Sequence, residues 1–165
     1  MFVHRLLSPD DDVTGFNSGV ASLDHWLTAN AARSHRQGVI RVYVWVDESE
    51  PQRVVAYTAI QPTRLTSGTL SRMQTGGHTN VPGYLIARLA LDHRLHGTGL
   101  GAQLLIGTLE VCVDAAHVGG GRVIVVDPIG ATAASFYENF GFTPTKGPSG
   151  RLVMKVSTAA AAIGL

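Results

Sequence analysis

The sequence predicts an α/β fold of the α+β kind: one domain on a mixed central sheet of about six to seven strands, with about four helices. Three observations carry this. Two runs, Tyr84–Leu91 and Arg122–Asp127, are nearly continuous apolar stretches, as expected of strands covered on both faces. A segment of helical period, from Leu100 to about Ala116, lies between them, so crossover connections and parallel pairing belong to the C-terminal half. The N-terminal half instead carries β-branched and aromatic runs at hairpin spacing, which implies antiparallel pairing. The element order reads β-αα-β-β-β-α-β-α-β-β, with no internal repeat.

Each element has a local cause. Phe2–Leu7 reads as a strand, ended by Ser8-Pro9 and the acidic turn Asp10–Asp12. Leu23, Trp26 and Leu27 fall at i, i+3 and i+4 of a helical region, with Ser22 as the expected N-cap, Asp24 in the first turn, and an end near Gln37-Gly38. Val39–Val46 and Arg53–Ile60 read as strands joined by a hairpin-type loop over Asp47–Gln52. Pro62–Pro82 shows no sustained periodicity and is expected to be a long connection, a kind that is usually functional or mobile. After the long helix, Gly119-Gly120-Gly121 is a stop signal. Ala131–Phe140 is a short helix closed by Gly141, and Phe142–Thr145 with Arg151–Val156 reads as a last strand pair. The domain is expected to span residues 1–156, leaving 157–165 as an alanine-rich tail, either frayed helix or disorder.

Composition bounds the function. A chain of 165 residues with 45% hydrophobic and 15% charged residues is one globular domain with a sizeable core. No stretch reaches the ~18 uninterrupted apolar residues of a membrane span, and Met1–Arg5 lacks a secretory pattern, so a cytoplasmic protein is expected. The single cysteine, Cys112, excludes an internal disulfide and reads as a small buried apolar residue. A net charge of +1 is not the footprint of a dedicated nucleic-acid binder. The seven histidines have no H-x-H or H-x₃-H spacing, and no metal site is expected.

Chemistry concentrates in Arg94-Leu95-His96-Gly97-Thr98-Gly99-Leu100-Gly101, which joins the strand ending at Leu91 to the helix beginning at Leu100. Glycines at every second position leave the main chain unobstructed, so successive N–H groups can turn inward as an anion-binding nest. The nest feeds a helix N-terminus, whose unpaired N–H groups and dipole favour phosphate. A P-loop would require Lys and then Ser or Thr after the last glycine, where Ala102 and Gln103 stand. A dinucleotide fingerprint would require G-x-G-x-x-G and an acidic residue about 20 positions on, and Asp127 lies too far along. Arg94, Gly97 and Gly99 instead match R-x-x-G-x-G, and the chain resembles the GNAT N-acetyltransferases in this loop and in its element order from Phe2 to Lys155.

A second motif strengthens the resemblance. Ala133-Ala134-Ser135-Phe136-Tyr137-Glu138-Asn139-Phe140-Gly141-Phe142 is similar to the A-x-x-F-Y-E-x-x-G-F that closes the same family's last core helix. The resemblance implies acetyl-CoA as cosubstrate. Its pyrophosphate would lie on Arg94, Leu95, His96, Gly97, Thr98, Gly99, Leu100 and Gly101, its pantetheine arm along the main chain of Leu89, Ala90 and Leu91, with Ser135 and Phe136 nearby. Tyr137 would be the general acid, protonating the thiolate released when an amine attacks the thioester. A main-chain N–H in the same strand would serve the thioester oxygen. Relatives often carry Asn where Gly130 stands, which removes one coenzyme contact.

No carboxylate pair suggests a general base. An α-amine, with pKa near ~8, is partly neutral at pH 7 and can react with water as proton carrier, whereas a lysine near ~10.4 cannot so readily. Further stretches, outside the coenzyme motif, resemble one branch of the family, the toxins of toxin–antitoxin systems that acetylate aminoacyl-tRNA. The matching stretches are Phe16–Gly19, Leu23–Leu27, Arg41–Val44, Ala56-Tyr57 and Ala87–Asp92. That resemblance implies an aminoacyl-tRNA substrate, a ribbon-helix-helix antitoxin and a homodimer, with Arg33, Arg36, Arg72, Lys146 and Arg151 as candidate tRNA contacts. Two other readings stay open on the sequence: a housekeeping N-acetyltransferase of a small amine, antibiotic or peptide N-terminus, and a non-catalytic acetyl-CoA-binding module.

Overall fold

An Asx turn closes the first hairpin. In the computed structural model, which describes residues 1–165, β2 (Arg41–Asp47) and β3 (Glu50–Thr66) pair antiparallel with Asp47 opposite Glu50. The backbone N–H and the hydroxyl of Ser49 both donate to Asp47 Oδ1, at 2.9 and 2.8 Å, so the tight turn needs no glycine. β1 (Phe2–Leu6) lies antiparallel on the other edge of β2. β4 (Asn80–Leu91) and β5 (Val123–Val126) are parallel, while β7 (Leu152–Lys155) is antiparallel to both β5 and the short β6 (Thr143–Pro144). The seven strands run in the order β1-β2-β3-β4-β5-β7-β6, the mixed sheet the sequence predicts.

The chain forms two compact units: Met1–Gln61 with Arg88–Thr108, and Pro62–Ala87 with Leu109–Leu165. In the first, Trp45, Ala56, Leu91 and Leu104 form a buried cluster, and Phe2 stacks on Trp45 at 5.4 Å between ring centroids. The helical region expected from Ser22 to about Gln37, read as two helices, is α1 (Ala21–Trp26) and α2 (Ala32–Arg36) joined by a π-helical turn (Leu27–Ala31). Ser22 is not the cap. Asp24 reaches back from the first turn to accept the N–H and hydroxyl of Ser18, at 2.9 and 2.7 Å, and so secures the helix entry. The fully buried Tyr57 donates its hydroxyl to Leu23 O at 2.7 Å, tying α1 to β3.

The second unit corrects the expectation for Pro62–Pro82. β3 continues to Thr66, a 3₁₀ turn covers Ser67–Thr69, and α3 (Arg72–Thr75) follows before β4 begins at Asn80. α3 is held by a capping box: Ser71 Oγ accepts from Gln74 N at 3.3 Å, and Gln74 Oε1 accepts from Ser71 N at 2.9 Å. Leu65, Leu70, Val81, Val123, Val125 and Val153 form one buried cluster of this unit. Gly83 is obligatory there, because a Cβ would lie 2.4 Å from Val123 O. The long helix α4 spans Leu100–Gly119, and α5 (Ala131–Asn139) matches its expected position. The alanine-rich tail is helical: α6 (Val156–Ile163) buries Val156 and Ala159 and ends at Gly164, whose φ is 82°. No helix is long and apolar enough to cross a membrane.

Candidate active site

The position of α4 follows from one buried stripe. Leu104, Leu105, Thr108, Leu109, Cys112 and Val113 recur at helical spacing and are all buried. The N-terminus of that helix is fed by Gly97 and Gly99, with φ of 76° and 80°, a region other residues enter only with strain. A Cβ at either would meet nothing within 4 Å, so the loop's backbone faces open space. Gly101 differs: it lies inside the first turn of α4 with no positive φ, so two glycines, not three, make the turn. Leu95 and Leu100 pack against the Trp45 cluster and anchor the loop. Thr98 Oγ1 donates to Leu95 O at 2.6 Å, and His96 Nε2 lies 2.8 Å from Leu91 O, tying the loop to the end of β4.

Asp92 is the residue whose role sequence reasoning underrated. It follows the last residue of β4, and its carboxylate is 1% exposed and organises four groups. It accepts from Arg94 N at 3.1 Å, Arg94 Nε at 2.9 Å and Asn17 N at 3.3 Å, and His93 Nδ1 lies 3.4 Å away. Burial alone would push this carboxyl up, but the bonds from Arg94 and Asn17, with the charge of Arg94, hold it below the usual range. Arg94 is thereby fixed through Nε and lines a depression of about 210 Å³ together with Phe2, Asp47, Glu50, Arg53 and Leu95. The signal available in the sequence was the spacing Asp92-x-Arg94, the geometry of a residue capping the turn that follows it.

β4 outruns its neighbour. Its parallel register with β5 covers Gly83–Ile86 and stops, while β4 continues to Leu91. The main chain of Leu89, Ala90 and Leu91 therefore has no β5 partner. The side chains of Leu89 and Leu91 pack into the Trp45 cluster, so main-chain groups are what this stretch can offer a ligand.

In the second unit, Tyr137 sits on α5 between two aromatic neighbours, Phe136 at 5.3 Å and Phe142 at 5.6 Å. It is 8% exposed, and burial pushes its phenol up to about 12. Burial is the sole cause of that rise, with no hydrogen bond contributing. Ser135 is exposed and Phe136 half-buried. Gly130, ahead of α5, has a φ of 124°, a conformation that explains glycine there. Cys112 is fully buried and its thiol is pushed up to about 12, as an inert core residue should be.

The candidate tRNA contacts separate into kinds. Arg33 and Arg36 are exposed at i and i+3 on α2. Arg72 and Lys146 are exposed in the second unit, where Lys146 N donates to Thr69 O at 2.9 Å and brings the β6–β7 loop beside the segment leading to α3. Arg151 differs, because its guanidinium holds Asp127 through two bonds, at 2.8 and 2.9 Å.

A mixed sheet whose fourth strand outruns the fifth and feeds a left-handed glycine turn into a long helix is the architecture of the GNAT N-acetyltransferases. No family model matches the chain. A curated relative, the tRNA-acetylating toxin of Mycobacterium tuberculosis (strain ATCC 25618 / H37Rv), is 35% identical over 166 residues, covering 97% of this chain and 95% of the relative. The chain belongs to this family of tRNA-acetylating toxins. Among solved structures, a tyrosine-to-phenylalanine mutant of KacT superposes with a TM-score of 0.91 at 23% identity, covering 98% of each chain. AtaT complexed with acetyl-methionyl-tRNAfMet gives 0.90 at 24% identity, over 98% of this chain and 99% of that one. AtaTR bound with acetyl-CoA gives 0.87 at 24% identity, over 98% and 97%. These establish the same fold.

Proposed function

We propose that this protein is an acetyl-CoA-dependent N-acetyltransferase that acetylates the α-amine of aminoacyl-tRNA and so blocks translation. The observation that carries the reading is the full-length, 35% likeness to a curated tRNA-acetylating toxin. The chain's own geometry fits the chemistry. The open, left-handed backbone at Gly97 and Gly99, continuing through Leu100 into α4, offers N–H groups and a helix dipole to a pyrophosphate. Leu89–Leu91 offers an unpaired strand edge to the amide groups of the pantetheine arm and an N–H to the thioester oxygen. Arg94, held by Asp92, adds positive charge beside the loop. His96 contributes by fixing the loop to Leu91.

In this reading Tyr137 is the general acid. A phenol near 12 remains protonated at neutral pH and can give its proton to a thiolate as the C–S bond breaks. The attacking amine forms the amide bond and loses its proton to water, since an α-amine is already partly neutral near pH 7. Arg33, Arg36, Arg72 and Lys146 serve as backbone-phosphate contacts for the tRNA, and Arg151 serves mainly to hold Asp127. Acetyl-CoA as cosubstrate, an antitoxin covering the site, a homodimeric state and a cytoplasmic location complete the proposal. A tyrosine-to-phenylalanine mutant of the toxin AtaT has been solved bound to the C-terminus of the antitoxin AtaR, and KacTA in complex with DNA. The test is a cell-free translation reaction with purified protein. Arrest that requires acetyl-CoA, and is lost in Tyr137→Phe, is expected; undisturbed translation by protein that binds acetyl-CoA refutes the reading.

A further inference from the structure

Outside the features already assigned, the first unit contains an arginine with no counter-charge. Arg88 is half-buried on β4, and its guanidinium carbon lies 4.6 Å from the ring centroid of Trp26. Its Nε is buried without any hydrogen-bond partner, and no carboxylate lies within ion-pair reach of it. Cations withdrawn from water are normally paired, and contact with an aromatic face offsets only part of the lost hydration. The remaining donors of Arg88 therefore suit an oxygen acceptor that arrives from outside the chain.

Its surroundings say which ligand. Alternation along β4 sends Leu89 and Leu91 to the sheet face covered by α4, where they pack with Leu104, and sends Arg88 to the opposite face, carrying α1. Trp26 ends α1, is itself half-buried, and stacks on the fully buried Tyr57 at 5.9 Å, with Phe16 edge-on to Tyr57 at 5.7 Å. The platform is thus rigid from beneath and open at Trp26 and Arg88. A π-helical turn begins at the next residue, Leu27, and such turns concentrate at functional sites. Arg88 is also the immediate neighbour of Leu89, where the strand edge available to a thioester begins.

We propose that Arg88, oriented by Trp26, binds the acceptor substrate: its guanidinium donates hydrogen bonds to oxygens of the 3′-terminal aminoacyl-nucleotide of charged tRNA. The inference rests on the aminoacyl-tRNA reading above. Arg88 is a binding residue that sets where the amine sits, and it takes no part in the proton transfers. Losing charge-assisted hydrogen bonds of this kind weakens binding by about ten- to a hundredfold.

The test compares the unaltered protein with Arg88→Met, Arg88→Lys and Trp26→Phe, measuring acetylation kinetics on a charged tRNA and acetyl-CoA affinity by calorimetry. Arg88→Met is expected to raise KM for charged tRNA at least tenfold while acetyl-CoA affinity stays within twofold. Arg88→Lys is expected to recover part of the loss, and Trp26→Phe, which keeps an aromatic face, to lie between the unaltered protein and Arg88→Met. Unchanged KM in Arg88→Met, with the unaltered protein active, overturns the inference and leaves the tRNA reading standing. Equal losses of acetyl-CoA and tRNA affinity also overturn it, because they mark a structural role. If Arg88→Met does not fold, Arg88→Lys and Trp26→Phe decide on the same KM criterion. No acetylation of charged tRNA by the unaltered protein overturns both.

Discussion

Replacing Gly97 by alanine separates the conformational need for glycine from its use in binding. At φ of 76°, an L-residue is disfavoured by about 1–2 kcal/mol. No steric term adds to this, since the new Cβ meets nothing within 4 Å. In a domain of this size each kcal/mol shifts Tm by about 2–4 °C, so Gly97→Ala should melt about 2–8 °C lower. Gly120→Ala is the control: its φ is 85°, its Cβ also meets open space, and it lies outside the loop, at the C-terminal end of α4. The two variants should lose similar stability. They should differ in acetyl-CoA binding. Disturbing one N–H bonded to a charged phosphate weakens binding by about 1.5–3 kcal/mol, or roughly ten- to a hundredfold. At acetyl-CoA near 100 Kd the unaltered protein gains about 2.7 kcal/mol, a rise of about 5–11 °C that Gly120→Ala should keep and Gly97→Ala should largely lose. Melting curves with and without acetyl-CoA read both effects. A Gly97→Ala protein that is destabilised yet fully rescued by acetyl-CoA would refute the anion-nest reading.

Asp92→Asn should retain the turn through its remaining acceptor but lower acetyl-CoA affinity several-fold, measured by calorimetry, because Arg94 loses its anionic partner. Cys112 should resist alkylation by iodoacetamide in native protein and react once in denaturant, a difference read by mass spectrometry, since it is fully buried and its thiol is pushed up to about 12. The Asp127 carboxyl is held below its usual range by Arg151, so the pair stabilises while Asp127 is ionised and that contribution fades as pH falls through the depressed native value. Both groups are partly exposed, so Asp127→Asn should cost no more than about 1 kcal/mol near neutrality, with the two denaturation midpoints converging in acid. Tyr137 should remain protonated well past pH 10, so the alkaline limb of the activity profile should not titrate with an ordinary phenol.

Much of this was legible in the chain because the signals were local and redundant. R-x-x-G-x-G sits between a strand and a helix, and both glycines in it take left-handed angles. The apolar runs at Tyr84–Leu91 and Arg122–Asp127 became β4 and β5, parallel over Gly83–Ile86, with β5 buried along its whole length. What was missed depends on longer range or on weaker local rules. The segment Pro62–Pro82 hides strand in β3's extension to Thr66, where burial alternates but Leu65 is the one large apolar side chain, too little to stand out as a strand. Its short helix was readable in Ser71-x-x-Gln74, but a capping box with a single turn behind it gives no periodicity. Asp92 is separated from Asn17 by most of the N-terminal half, so its role as a clamp appears only once β4 and the segment before α1 meet. Arg88 follows the same rule: nothing in Ala87-Arg88-Leu89 signals that Trp26 will cover it.

The most direct measurement is mass analysis of a charged tRNA after incubation with the purified protein and acetyl-CoA. Addition of a single acetyl group at the α-amine of the aminoacyl moiety, dependent on acetyl-CoA and abolished or strongly slowed in Tyr137→Phe, is the expected result. An aminoacyl-tRNA left unmodified by protein that binds acetyl-CoA, or acetylated equally well by Tyr137→Phe, would contradict the account.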